Sequence, residues 1–250
     1  MIQSLLRALD LLEALKGPQK AFSVAELSEA LDLPPSSIHR ILQTLCTKDF
    51  VVKNDQTHLY QLGPALISLG TAATSQTKLQ TVCQPVLSYL SECTGEDAFL
   101  MIRIGLRGLI LAKAEGPNNL KVVDHFGYEQ PLHVGAIRKV LLAYQSAEFL
   151  KHYLLNMEEH PSKLSIQTPE TLLKDLATIR KDGISISRSE YIQDAIGIGA
   201  PVFGSDGQMK ASIGIIAPAS RTVGKHFMDL KHDVMDSAEK LSYRLGYSLP

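Results

Sequence analysis

Residues 33–45 read LPPSSIHRILQTL, and this short segment constrains the fold more than any other. Two prolines suit a first helical turn, where a backbone N–H has no partner to lose. Ile38, Ile41, Leu42 and Leu45 then recur with helical spacing and mark a buried side. The opposite side carries Ser36, Ser37, His39, Arg40, Gln43 and Thr44, with none of the Glu and Lys that commonly solvate a surface helix. Such a face either touches a partner or is a solvated surface of unusual composition.

The flanking elements narrow the choice. Ile2, Leu5, Leu6, Leu9 and Leu12 form a one-sided apolar stripe in a first helix that Gly17-Pro18 ends. Ser23 stands three residues before Glu26, the capping-box spacing, so a second helix is predicted over 24–31 with Val24, Leu27 and Leu31 inward. After the third helix, Val51–Lys53, a polar turn at 54–57 and His58–Leu62 read as a hairpin. Three helices and a hairpin within residues 1–62 is the order of a winged helix-turn-helix. There the second helix of the motif lies in the major groove of DNA. Arg pairs bidentately with guanine and Gln with adenine, while Ser, Thr and His reach phosphates or base edges. Lys53, on the hairpin, joins this candidate DNA-contacting set.

Charge limits what one copy achieves. Residues 1–62 hold six Lys and Arg against seven Asp and Glu, and phosphate neutralisation supplies much of DNA affinity. A single copy is therefore expected to bind weakly, and two or more copies on a repeated site to compensate. The exposed part of the first-helix stripe and the helix after the hairpin are the candidate pairing surfaces; a core role for the stripe is the alternative.

Residues 63–78 carry Leu66, Ile67 and Leu69 and lack the Gly and Pro density of a flexible tether, so a linker helix is predicted. Over 79–250 the pattern predicts helices at 79–93, 136–145, 147–155, 169–182 and 225–245. Strands are predicted near 98–104, 108–114, 120–126, 184–189, 196–203 and 210–217, with GSDG at 204–207 turning between the last two. Helices and strands do not alternate strictly, which favours an antiparallel-rich α+β sensor-like domain over a doubly wound sheet.

Other classes find little support. The chain has 250 residues and is 45% hydrophobic, enough for one large core or two ordinary ones. Its longest uncharged apolar run, AIGIGAPVF at 195–203, is half of the roughly 18 residues a membrane span needs. Arg7, Asp10 and Glu13 interrupt the N-terminal apolar stretch and no small-residue cleavage site follows, so a cytoplasmic protein is expected rather than a secreted one. Three cysteines without a C-x-x-C pair argue against a disulfide framework and a zinc site, and Cys83 and Cys93 are expected in the core. The histidines lack metal-ligand spacing, and the G-x-G at 197–199 lacks a third glycine at a helix start, so neither metal nor dinucleotide is expected. Asp124 and His125 are strand neighbours that point to opposite faces and cannot share a target. No cofactor and no catalytic residue is expected, and an enzyme is disfavoured.

Several stretches together resemble one family. IQSLLRALDLL at 2–12, FSVAELSEALDLPPSSIHRILQTL at 22–45 and YQLGPALISLG at 60–70 are similar to the DNA-binding half of the IclR family of bacterial transcription regulators. PLHVGAIRKVLLA at 131–143, IRKDGISISRSEYIQDAIGIGAPVFGSDG at 179–207 and SIGIIAPASR at 212–221 resemble its effector-binding half. The resemblance implies a homodimer or dimer of dimers that binds double-stranded operator DNA. It also implies a GAF-related C-terminal domain that binds a small-molecule effector. Free N–H groups at the helix start after His133 and Gly135 suit an anion such as a small carboxylate. The resemblance places the effector at Ala136 and Ile137 on that helix start and at Ser187, Gly197, Gly214 and Ile216 on the late strands.

The departures from the family pattern are specific. Arg138 stands where the family commonly has glycine, and Gly197, Gly214 and Ile216 stand where it often has serine or cysteine. Fewer side-chain donors imply a larger or more apolar ligand, or one bound elsewhere. Arg138 either adds a cation to the site or points to solvent; Asp124 and Gln130 are polar contacts or surface residues. The competing class is a ligand-sensing or protein-interaction module that does not bind DNA.

Overall fold

Residues 1–16, 21–75, 78–119, 121, 129–157 and 168–248 are described by a computed structural model of the chain, whose contacts separate residues 1–77 from 78–250. In the first unit, α1 (Gln3–Ala14) precedes α2 (Val24–Leu31). The capping box forms as predicted: Glu26 N–H donates to Ser23 Oγ at 3.2 Å and Ser23 N–H donates to Glu26 Oε2 at 2.7 Å. Asp32, left-handed at φ 49°, turns the chain into α3 (Pro35–Cys46), whose first residue is a proline. Leu11, Leu15, Leu27, Ile38, Leu42, Val51 and Tyr60 make the core.

The stripe on α1 does not all go inward. Ile2 is 69% and Leu9 51% exposed, and Leu5 and Leu6 are exposed as well. Leu11 and Leu15, one helical turn apart, fill the core instead, with Leu12 partly buried at its edge. The hairpin pairs β1 (Val51–Lys53) with β2 (Tyr60–Leu62), and Phe22 adds an unpredicted third segment through backbone bonds of 2.7 and 2.9 Å with Tyr60. Asn54 Oδ1 accepts from the N–H groups of Gln56 and Thr57 and so shapes the turn. A helix follows, α4 (Ala65–Ser75), whose start is tied back by Ala65 N–H to Asp49 O at 3.1 Å and Gly63 N–H to Phe50 O at 2.8 Å.

The second unit contains α5 (Lys78–Thr94), β3 (Asp97–Ile104), β4 (Arg107–Ala114), β5 (Gln130–Pro131), α6 (Ala136–Ala143), α7 (Ala147–Leu155) and α8 (Pro169–Asp182). It continues with β6 (Ser185–Arg188), β7 (Ala195–Phe203), β8 (Met209–Pro218) and α9 (Gly224–Arg244). The strands form one sheet in the order β5-β4-β3-β8-β7-β6, antiparallel at every described pairing. Period-two alternation splits the core across the two faces. Ala98, Leu100, Ile196, Ile198, Ile213 and Ile215 pack with α5 and α9, while Phe99, Met101 and Ile216 pack with α6 and α8. The strand expected at 120–126, with Asp124 and His125, lies outside the described residues. β5 is an edge strand that the pattern did not predict; on it Gln130 pairs with Gly108.

One cysteine expectation is corrected. Cys83 is fully buried and desolvation pushes its thiol up to about 11. Cys93 is exposed. Ten residues along α5 is about 80° round the helix from Cys83, enough to leave the buried face. Two buried carboxylates begin β3: Arg221 holds Glu96 in a bidentate pair at 2.7 and 2.9 Å, and Asp97 lies 2.8 Å from Lys113 and 3.2 Å from Lys121.

Candidate functional site

In the first unit the candidate residues of α3 lie on one accessible face. Ser36, His39, Arg40, Gln43 and Thr44 are exposed on α3 and Ser37 is half-buried, because Ile38 and Leu42 anchor the other side of the helix completely. The Thr44 hydroxyl donates to Arg40 O at 2.9 Å, leaving its lone pairs as acceptors. Lys53 is exposed on β1, its ammonium 5.8 Å from the Tyr60 ring centre. An open groove of about 440 Å³ separates α1 from α3 and brings Arg7 opposite Ser37, Arg40 and Thr44. Arg7 is thus a second cation at this face. Helical periodicity alone placed it on another element and gave no sign of this proximity.

In the second unit the loop before α6 is fixed from within. His133 is buried, its Nδ1 2.7 Å from the Tyr153 hydroxyl, which also accepts from His133 N–H at 3.1 Å. Gly135 then takes φ 83°, a conformation that favours glycine, and starts the helix. Ala136 N–H donates to Ser187 Oγ at 3.0 Å, and Gly135 N–H donates to Glu190 Oε2 at 3.2 Å. Around this point lies a cavity of about 20 Å³, room for about one water. Ala136, Ile137, Ser187, Gly197 and Ile216 all line it. Gly214 lies beneath Ile137 instead, where a Cβ would stand 2.8 Å from Ile137 Cγ1. Gly199 meets the same helix turn: a Cβ there would stand 2.7 Å from Ile137 Cα. The missing side chains on these strands let the first turn of α6 sit against the sheet.

Among the described residues no three His, Cys, Asp or Glu side chains are grouped to hold a metal, and no helix is long and apolar enough to cross a membrane. Comparison with known proteins decides what kind of molecule carries these two sites. Residues 4–55 match the IclR helix-turn-helix domain, and residues 71–243 match the C-terminal domain of the bacterial transcriptional regulator IclR. The chain belongs to the IclR family. Among curated relatives, the HTH-type transcriptional regulator BhcR of Paracoccus denitrificans is 30% identical over 246 residues, 98% of this chain and 88% of BhcR. The HTH-type transcriptional repressor AllR of Escherichia coli K12 is 27% identical over 98% of this chain and 90% of its own length. Among solved structures, an IclR transcriptional regulator from Alicyclobacillus acidocaldarius has a TM-score of 0.86 at 24% identity, covering 97% of this chain and 98% of that one. An IclR homologue from Microbacterium hydrocarbonoxydans, in complex with 4-hydroxybenzoate, has a TM-score of 0.81 at 19% identity over 98% of this chain and 100% of that one.

This IclR regulator thus has an N-terminal helix-turn-helix that binds DNA and a C-terminal effector-binding domain of mixed α+β structure. Its Arg138 takes the inward of the two expected orientations: it is 3% exposed, donates Nε–H to Val134 O at 2.9 Å, and lies 4.3 Å from the Tyr191 ring centre. Gln130 does not line the cavity, and Asp124 lies outside the described residues. Glu190, Tyr191 and Ile192 do line it, and sequence reasoning missed all three. They sit on the loop between β6 and β7, where no periodicity marks a residue as inward.

Proposed function

We propose that Ser36, Ser37, His39, Arg40, Gln43 and Thr44 read an operator from the major groove while Lys53 contacts its phosphates. The observation that carries this is the exposure of Ser36, His39, Arg40, Gln43 and Thr44, with Ser37 half-buried, opposite a fully buried Ile38 and Leu42. The slightly acidic first unit needs a second copy for affinity, so the regulator acts as a homodimer or dimer of dimers on a roughly palindromic site. The exposed Ile2 just before α1 and Leu5, Leu6 and Leu9 on it, with Ile67 and Leu69 on the linker helix α4, supply apolar surface for that pairing. AllR relatives are repressors, which supports repression as the output here. The protein works in the cytoplasm without cofactor or turnover.

The effector is a small carboxylate held at the α6 start by Ala136, Ile137, Ser187, Gly197 and Ile216, while Gly214 lets Ile137 sit against the sheet. The carboxylate found with a structural relative supports this chemistry. Binding changes the spacing or order of the two DNA-reading helices, which requires the effector to favour one arrangement over another.

Selection of genomic fragments by the purified protein tests the DNA assignment and identifies the operator. On that operator, Arg40→Ala should lose about 1–3 kcal/mol of binding while effector binding is retained; unchanged affinity removes Arg40 from the interface. Ser187→Trp should abolish the effector response, and a variant that still responds places the effector elsewhere.

A further inference from the structure

Two backbone donors at the start of α6 are already taken by the chain's own oxygen atoms. Ser187 Oγ accepts from Ala136 N–H, and Glu190 Oε2 accepts from Gly135 N–H at 3.2 Å. The other oxygen of Glu190 lies 2.7 Å from Lys139 Nζ, a buried ammonium whose second carboxylate, Asp175, is at 3.4 Å. The next residue, Tyr191, stacks against the buried Arg138 guanidinium. These contacts reduce the cavity to about 20 Å³, room for one water and too little for a carboxylate with any carbon attached.

The loop that carries Glu190 and Tyr191 is closed at its neck. Ser189 N–H donates to Ala195 O at 2.8 Å, and Asp194 N–H to Ser189 Oγ at 3.2 Å. Both neck residues are left-handed, at φ 51° and 57°, a conformation few residues other than glycine adopt. The latch is therefore a discrete arrangement made from one loop, with an anchored neck and two side chains reaching across the cavity.

We infer that Glu190 determines effector specificity by occupying the anion position of this cavity. This rests on the reading of that cavity as the effector site. Gly135 lines the cavity, whereas Lys139 borders the adjoining groove behind Glu190, so an effector must bring its own carboxylate to replace Glu190 on Gly135 N–H and to compensate the Lys139 ammonium behind it. Its body then lies against Met101, Ile192, Ala195 and Ile216 as Tyr191 withdraws from Arg138. A neutral ligand of the same shape fails, because displacing Glu190 would leave the buried Lys139 with only the more distant Asp175. Affinity is lowered by the fraction of time the latch is closed.

Calorimetric titration of the full-length protein with 4-hydroxybenzoate, succinate and the neutral 4-hydroxybenzamide tests this. Glu190→Ala should bind at least one of the carboxylates about tenfold or more tightly than wild type, with no gain for the amide. Glu190→Gln, which keeps an oxygen for Gly135 N–H but loses the charge facing Lys139, should fall between them and serves if the alanine variant does not fold. Carboxylate binding that is equal, weaker or absent in both variants overturns the inference, and weaker binding would make Glu190 a residue that positions the helix start. An equal gain for the amide overturns the charge selection. Adding Ser187→Trp to Glu190→Ala separates the two layers: loss of the gained affinity keeps the anion in the cavity, and persistence overturns the effector reading itself.

Discussion

The two units dispose of their polar chemistry in opposite ways. In residues 1–77 the groups assigned to recognition are exposed except for the half-buried Ser37, and no charged side chain among the described residues is buried. In residues 78–250 Glu96, Asp97, Arg138 and Lys139 are all buried, and each has an ion-pair or hydrogen-bond partner. A unit that reads a polyanion keeps its donors in water and relies on the partner to desolvate them. A unit that selects one small molecule is desolvated beforehand, so that each unmatched polar group is costly. The contrast is open to direct attack. Arg221→Ala strands the buried Glu96 carboxylate and should cost the second unit about 3–5 kcal/mol, read as a lowered unfolding midpoint. An unshifted midpoint would show that Glu96 is not held by Arg221 in solution.

The matching attack on the first unit is apolar. Leu42 is completely buried in a core of few residues, and Leu42→Ala should cost about 2–5 kcal/mol, enough to abolish DNA binding while the second unit still melts where it did. A single shared transition, shifted as a whole, would refute the independence of the two cores.

This contrast also explains what was legible in the sequence. Helical periodicity reports a face only where one side is wet. On α3 it separated Ile38 and Leu42 from His39, Arg40 and Gln43 correctly, and the Ser23–Glu26 capping box fixed the start of α2. On α1 it picked Ile2, Leu5, Leu6, Leu9 and Leu12 and missed Leu11 and Leu15, which fill the core, because the six leucines and one isoleucine of residues 2–15 span more than one face. On α6 all eight residues are buried, so no pattern distinguished Arg138 in the cavity from Arg138 in solvent. Resemblance supplied Ala136, Ile137, Ser187, Gly197 and Ile216 on the cavity wall, fewer than half of its lining residues. It did not supply Glu190, which reaches Gly135 across 55 residues of chain from a loop without periodicity. Determinants that depend on contacts distant in sequence were invisible, and the Glu190 carboxylate that lines the cavity is one of them.

The smallest expected effect separates the units by acid. Burial alone would raise the Asp97 carboxyl, but its bonds to Lys113, the Gly116 N–H and Lys121 outweigh that and hold it below the ordinary carboxylate range. A group whose folded pKa is depressed contributes stability above its unfolded pKa, about 4, and loses that contribution as pH falls through the folded value. The second unit should therefore weaken in the window below about pH 4. The described part of the first unit has no buried carboxylate to add such a loss. Chemical denaturation at a series of pH values, followed separately for each unit, measures this. Asp97→Asn should lower stability at neutral pH, where Lys113 and Lys121 lose their buried partner and keep only the exposed Glu115 at 3.4 Å, and flatten the acid limb of the second unit. An acid limb that survives unchanged in Asp97→Asn would show that another group supplies it, and a first unit that weakens in step would show that buried charge is not what sets the two apart.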